Sequence, residues 1–245
     1  MALHFLIEDA GPAGAGQVVR LTGAEAHHAA VVRRVRVGET VTVGDGRGVW
    51  LTGTVQAASP KEVAVDIESR TDMPVASPRT VLVQALAKGD RDELAVQAAT
   101  ELGVDAIVPW QAARSVSRWE GGKVAKGVAR WESIAREAAK QAHRPWLADL
   151  EQPVTTRDLA ARAGAGRMLV LEPTASVALS RVAIDSDDTS DVILVVGPEG
   201  GISPEELDAL QAAGATLVRL GDTVLRTSTA GPAALAVVNA ALGRW

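Results

Sequence analysis

The residues best placed to do chemistry in this 245-residue chain gather in its last third, in short loops that follow apolar runs. One loop is Gly197-Pro198-Glu199-Gly200-Gly201, directly after the apolar Val192–Val196. Three glycines in five positions allow tight turning and close backbone approach to a ligand, and Glu199 sets one carboxylate among them. A second loop, 221–231, follows the apolar run 216–220; Leu220, Gly221, Leu225, Arg226, Thr227, Ser228 and Thr229 surround it, with Arg226 as its one cation. A third, Leu171-Glu172-Pro173-Thr174, follows the apolar 168–171. None is a phosphate-binding P-loop, which needs Gly-Lys-Ser/Thr, and none is the dinucleotide fingerprint. A glycine-rich turn with no following Lys suits a ligand without phosphates. No Ser/His/Asp order, nucleophile elbow or metal-ligand spacing can be assembled, and the adjacent His27 and His28 have no other ligands clustered nearby.

Loops of this kind need strands beneath them. The run Val192–Val196 predicts a strand buried on both faces. After the loop, Ser203 as N-cap, Pro204 at the first helical position and Glu206 three residues on predict a helix start with a capping box. Residues 216–220 predict the next strand, and a last apolar helix is expected from about Pro232. Two strand-loop-helix units with loops at the strands' carboxyl ends are where an open α/β sheet binds ligands. Upstream, 80–87 reads as a buried strand, followed by Lys88-Gly89-Asp90-Arg91, with Asp90 capping a helix whose apolar positions are Leu94, Ala95, Ala98 and Leu102. A strand over 106–110, helices over 122–143 and 155–163, and an acidic connection over 185–191 complete the second half.

Residues 1–72 read differently: short strands at 4–8, 40–43, 49–57 and 62–68, separated by Gly and Pro turns, indicate a small barrel. Within it, Thr22 to Glu25 resembles a capping box that opens a helix through about Val35. Residues 73–79, with prolines at 74 and 78, form the expected linker to an α/β domain over 80–245.

The net charge is −5, yet residues 79–147 carry 11 basic and 8 acidic side chains, whereas 148–245 carry 7 and 13. A positive zone on an acidic protein fits contact with phosphates, because the local field governs that contact. Arg114, Arg118 and Arg144 lie in this zone with Trp119, Trp131 and Trp146 interleaved, and Arg33, Arg34 and Arg36 form a second cluster. Solvated helix faces would carry the same charges. With no cysteine there is neither a disulfide nor a thiolate metal site, and no apolar run is long enough to span a bilayer. The start, Met-Ala-Leu-His-Phe, lacks the pattern of a signal peptide. A reducing cytoplasm is the expected setting.

The loops carry a resemblance. Leu194-Val-Val-Gly-Pro-Glu-Gly-Gly201 followed by Leu220-Gly-Asp-Thr-Val-Leu-Arg-Thr-Ser-Thr-Ala230 resembles the signature of the SPOUT methyltransferases, and within them the 16S rRNA uracil-N3 methyltransferases. The segments around Lys88 and Arg91, 99–104 and 137–144 support it, and the likeness covers nearly the whole chain. It implies a PUA-like RNA-binding barrel in front of a parallel-sheet domain with a C-terminal trefoil knot. It implies S-adenosylmethionine held by the loops at Leu171, Glu172, Pro173 and Thr174, at Gly197, Pro198, Glu199, Gly200 and Gly201, and at Leu220, Gly221, Leu225, Arg226, Thr227 and Thr229. It further implies a homodimer acting on 16S rRNA, without metal or membrane, with Arg33, Arg34, Arg36, Lys88, Arg91, Arg114, Arg118 and Arg144 as RNA contacts. Arg226 is the expected catalytic group, stabilising charge on the uracil or orienting the RNA; the alternative is a structural Arg tied to a carboxylate. Glu199 is expected either near the cofactor's positive end or supporting the helix start at Ser203. Where many relatives have Glu, this chain has Ser228, so the general base is unassigned. Two further readings share these motifs: a SPOUT ribose 2′-O-methyltransferase and a non-catalytic RNA-binding assembly factor.

Overall fold

A computed structural model describes residues 2–185 and 187–245; Ser186, inside the expected acidic connection, lies outside the described residues. The chain divides into two compact units, residues 1–75 with 139–147, and residues 76–138 with 148–245.

The first unit holds β1 (Leu3–Leu6), β2 (Val18–Thr22), α1 (Gly23–His27) running on as a π-helical turn over His28–Val32, β3 (Thr40–Gly44), β4 (Val49–Ala58) and β5 (Glu62–Asp72). Its five strands form one sheet in the order β1-β3-β4-β5-β2, with β1 parallel to β3 and the other pairs antiparallel. Burial alternates along β2 and most of β4, so every second side chain enters a core of Phe5, Leu21, Val43, Leu51, Val63, Val65 and Ile67. The long β4–β5 hairpin curls because its register shifts at Thr52/Gly53 and Val55/Ala57. At Gly53 a Cβ would stand 2.2 Å from the Asp66 carbonyl oxygen, so only glycine admits that approach.

Two features of this unit depart from the sequence reading. Strand β2 was not expected, and the Thr22–Glu25 capping box does not form: Thr22 makes no side-chain cap bond. Glu25 is drawn elsewhere, its Oε1 accepting from Leu6 N (3.0 Å) and its Oε2 from the buried Lys140 Nζ (3.0 Å). The segment 139–147 also belongs here. Gly48 N donates to Pro145 O (3.0 Å), Leu147 N to Gly46 O (2.9 Å) and Trp146 Nε1 to Met73 O (3.0 Å). His143, Arg144 and Trp146 thus pack in the first unit and not with the rest of the basic zone.

The second unit holds β6 (Thr80–Ala85), α2 (Arg91–Glu101), β7 (Ala106–Gln111), α3 (Gly122–Gln141, whose last turn falls in the first unit), β8 (Asp149–Leu150), β9 (Val154–Thr155), α4 (Thr156–Arg162), β10 (Arg167–Leu171), β11 (Val177–Ala178), β12 (Val192–Val196), α5 (Pro204–Ala212), β13 (Thr216–Arg219) and α6 (Thr227–Ala241). The sheet is parallel throughout, in the order β11-β13-β10-β12-β6-β7-β8, with β9 also pairing β7. Helices cover both faces, which is why its strands read as unbroken apolar runs. Val83, Trp110, Val195 and Leu210 pack in one layer; Leu82, Trp131, Leu194, Val218 and Leu235 pack in the other.

Local signals mostly survive. The capping box at α5 is present in both directions, and Thr155 caps α4 the same way. Three expectations fail. Leu94, read as an apolar position of α2, is exposed, whereas Ala95 is buried as expected and is joined in the core by Val96 and Ala99. Asp90 sits at the N-cap of α2 without a side-chain cap bond; Asp92 reaches back, its Oδ2 accepting from Ala87 N (3.0 Å). Helix α6 starts at Thr227 rather than near Pro232, which lies inside the helix. The early start follows from Thr227, whose hydroxyl donates to Gly197 O (2.8 Å) and fixes the first turn against the β12 loop.

Candidate functional site

Strands β13, β10 and β12 are neighbours, and the loops at their carboxyl ends enclose a cleft of about 430 Å³. That volume suits a small molecule. From the β10 loop come Leu171, Glu172 and Pro173; from the β12 loop Gly197, Pro198, Glu199 and Gly201; from the β13 loop Leu220, Gly221, Leu225 and Arg226, with Thr227 at the start of α6. Gly201 takes a left-handed φ of 71° and its N–H donates to Pro198 O (2.9 Å), closing the turn that the glycine pattern pointed to. Val196, Ile202, Val218 and Ala230 add apolar wall.

The remaining expected cofactor residues stand just outside. Thr174 folds back, its N–H and hydroxyl both donating to Glu172 Oε1 (3.1 and 2.8 Å). Gly200 turns outward, its carbonyl accepting from Arg114 Nη1 (3.2 Å). Thr229 is exposed, and its N–H donates to Arg226 O (2.9 Å).

The charges of the cleft sort into committed and free. Glu199 Oε1 accepts from Lys88 N (2.8 Å) and from Arg91 Nη1 (2.9 Å), so Arg91 joins the lining as an ion-pair partner. Burial pulls the Glu199 carboxyl upward, but hydrogen bonds from its own N–H, from Lys88 N–H and from Arg91, with Arg91's charge, outweigh this and hold it below the ordinary carboxylate range. It is an anion at neutral pH and a poor proton acceptor. The helix start at Ser203 is held by Glu206 instead. Arg219 Nη1 donates to Ala175 O (2.8 Å) and Ser176 O (2.5 Å), which ties it to the β10 loop. Arg226 is exposed at the N-cap of α6, and among the described residues its guanidinium has no ion-pair or hydrogen-bond partner. The alternative of a structural arginine tied to a carboxylate therefore has no carboxylate in place. The cleft offers one uncommitted guanidinium, the Glu172 carboxylate, an apolar lining and no phosphate-binding lysine: this lining fits a phosphate-free ligand such as S-adenosylmethionine better than a polyphosphate.

The expected RNA contacts fall in both units. Arg33, Arg34 and Arg36 are exposed in the first unit, Arg34 with a φ of 56°, and none pairs its side chain with a described residue. Arg144 is half-buried in the same unit. In the second unit, Lys88 and Arg118 are exposed and pair their side chains with no described residue, and Arg114 is exposed and bonded to Gly200. Sequence reasoning missed Gln84, Glu206 and Arg219 as supports of these loops. Gln84 is hidden in the apolar run of β6, and Glu206 read only as a capping residue. Among the described residues there is no cluster of metal ligands and no helix long and apolar enough to cross a membrane.

Comparison with known proteins gives the arrangement its relatives. A family model described as an RNA methyltransferase domain matches residues 75–239, and one described as an RNA methyltransferase PUA domain matches 21–68. The chain is 41% identical over 250 residues to the ribosomal RNA small subunit methyltransferase E of Mycobacterium tuberculosis, covering 100% of this chain and 94% of that one. It is 30% identical to the protein of the same name from Bacillus subtilis, covering 89% and 88%. Among solved structures, a methyltransferase from Legionella pneumophila with bound S-adenosylmethionine is 31% identical, with a TM-score of 0.86 over 98% of both chains. The ribosomal RNA small subunit methyltransferase E of Neisseria gonorrhoeae, bound to S-adenosylmethionine, is 26% identical with a TM-score of 0.86, again over 98% of both.

Proposed function

We propose that this chain, which belongs to the ribosomal RNA small subunit methyltransferase E family, transfers a methyl group from S-adenosylmethionine to N3 of a uridine in 16S rRNA. The observation that carries the reading is the cleft itself: three loops at the carboxyl ends of adjacent parallel strands, glycine-lined, without a phosphate-binding lysine, and with Arg226 uncommitted at its edge. The bound cofactor supplies an electrophilic methyl group. The backbone of Gly197, Gly201, Leu220 and Gly221 lines the cleft and would offer hydrogen-bonding groups to the cofactor's heterocycle, while Leu171, Val196, Leu220 and Leu225 would shield its faces from water.

N3 of uridine bears a proton at neutral pH, so it attacks only as that proton leaves, and negative charge then spreads onto O2 and O4. Arg226 is placed to stabilise that charge, since its guanidinium is spent on nothing else. Glu199, held anionic by Lys88 N–H and Arg91, positions the β6–α2 loop and does not take the proton. In this reading Arg33, Arg34 and Arg36 with Arg144 on the first unit, and Lys88, Arg91, Arg114 and Arg118 on the second, face the RNA phosphates. Residues 1–72 serve as the RNA-binding module and 80–245 as the catalytic one.

The same reading includes a homodimer working in the cytoplasm and a knotted C-terminal path. Val224 lies on the cleft lip and is 78% exposed, an apolar side chain that a second subunit would cover. The order that sets β13 between β10 and β11, with α6 returning over β12 and β6, supports the path. Incubation of the purified protein with S-adenosylmethionine and either 16S rRNA or small subunits, followed by nucleoside mass spectrometry, tests the activity. N3-methyluridine is the expected product; 2′-O-methylated nucleosides or no product would overturn the assignment.

A further inference from the structure

Two loops of the cleft share one buried tether. Gln84 lies on β6, fully buried within a run of apolar neighbours, and it does not line the cleft. Its Nε2 donates to Ala85 O (3.0 Å) and to Thr227 Oγ1 (2.9 Å). Thr227 Oγ1 in turn donates to Gly197 O (2.8 Å). The direction of this chain is fixed by chemistry. Ala85 O only accepts, so the amide must present its NH₂ there, which leaves Thr227 as the acceptor from Gln84 and sends the hydroxyl proton to Gly197 O. Gln84 Oε1 has no partner among the described residues, so the residue is not present as a fully satisfied core group. An apolar side chain at this position would avoid that cost.

We infer that Gln84 is a positioning residue for methyl transfer: through Thr227 it sets the spacing between the β12 loop at Gly197 and the start of α6 that carries Arg226. This rests on the methyltransferase reading above. Gln84 touches neither cofactor nor RNA, and it acts only by orienting the hydroxyl that bridges the two loops. Gly231, one turn further along α6, reinforces the spacing, since a Cβ there would lie 2.9 Å from Leu82 Cδ1.

The test compares Gln84→Met, Thr227→Val and the double variant with the wild-type protein. It measures S-adenosylmethionine affinity by calorimetry, then KM and kcat for methyl transfer, with circular dichroism and thermal melting to establish folding. Thr227→Val removes the bridging hydroxyl and Gln84→Met removes the amide that orients it, so each should weaken cofactor binding, by up to about tenfold. The double variant should be no worse than the poorer single one, because both break the same chain. Loss should appear in cofactor affinity and, because the same chain places Arg226, in a severalfold lower kcat at saturating cofactor for Gln84→Met. Additive losses in the double variant, or a folded Gln84→Met with wild-type affinity, would overturn the inference. If Gln84→Met does not fold, Gln84→Leu replaces it in the same cycle and is read by the same two outcomes. Wild-type protein that fails to bind S-adenosylmethionine would instead refute the methyltransferase reading.

Discussion

Replacing Glu206 by alanine examines how the β12 loop is held. The carboxylate is buried, and it gathers donors from three segments of the second unit. Oε1 accepts from Ala113 N (2.9 Å) and Thr156 Oγ1 (2.6 Å), and Oε2 accepts from Ser203 N (3.2 Å). In Glu206→Ala the Ala113 and Ser203 N–H groups lose their acceptor inside the protein. Thr156 keeps one bond, as acceptor from Trp110 Nε1 (3.2 Å). Each stranded donor costs about 1–3 kcal/mol, and partial relaxation brings the sum to about 3–5 kcal/mol. Glu206→Gln should cost less, about 1–2 kcal/mol, because its carbonyl oxygen can still accept from Ala113 and Thr156 while its NH₂ opposes only the Ser203 N–H. Urea denaturation followed by circular dichroism measures both, and thermal melting should fall by about 2–4 °C for each kcal/mol. A Glu206→Ala loss below about 1 kcal/mol, or a Gln variant as damaged as the Ala variant, would refute the reasoning.

Two other perturbations address the remaining charges. Burial, reinforced by the charges of His143 and Lys140, lowers His4 from 6.5 to about 4; its ring stacks on Trp50 at 4.2 Å, and Lys140 is itself paired with Glu25. Between those values the unfolded chain binds more protons than the folded one, so stability present above pH 6.5 is lost as pH falls towards 4, by at most ~3 kcal/mol. Denaturation curves of wild type and His4→Asn across that range should diverge accordingly, and parallel curves would remove His4 as the cause. Arg226→Ala should lower kcat by roughly 10²–10³ if the guanidinium meets charge developing on uracil, with folding intact and cofactor affinity changed far less. Unchanged turnover would sink its catalytic role.

The second unit was legible because its signals are local. Val192–Val196 reads as buried on both faces and is so, and Ser203, Pro204 and Glu206 start α5 where the sequence says. The rule about strand carboxyl ends points to the 197–201 and 221–231 loops, and both line the cleft; the naming of Leu220 and Arg226 as site residues rests on the family resemblance. What could not be read depends on partners distant in sequence. Glu25 abandons its capping role for Leu6 and Lys140, 19 and 115 residues away. Residues 139–147 join the first unit through Gly46, Gly48 and Met73, contacts with no periodic signature. Pro232 read as a helix start, but α6 is set by the Thr227 bond to Gly197, 30 residues earlier in the chain. Leu94 was read among the apolar positions of α2 by its type, although the face of α2 that packs inward is built from alanines and a valine.

The measurement that bears most directly on the central claim is nucleoside mass spectrometry of 16S rRNA from cells with and without this protein. Loss of N3-methyluridine from the rRNA of cells lacking it, restored by the wild-type chain and not by Arg226→Ala, is the predicted result. An unchanged N3-methyluridine content would contradict the account.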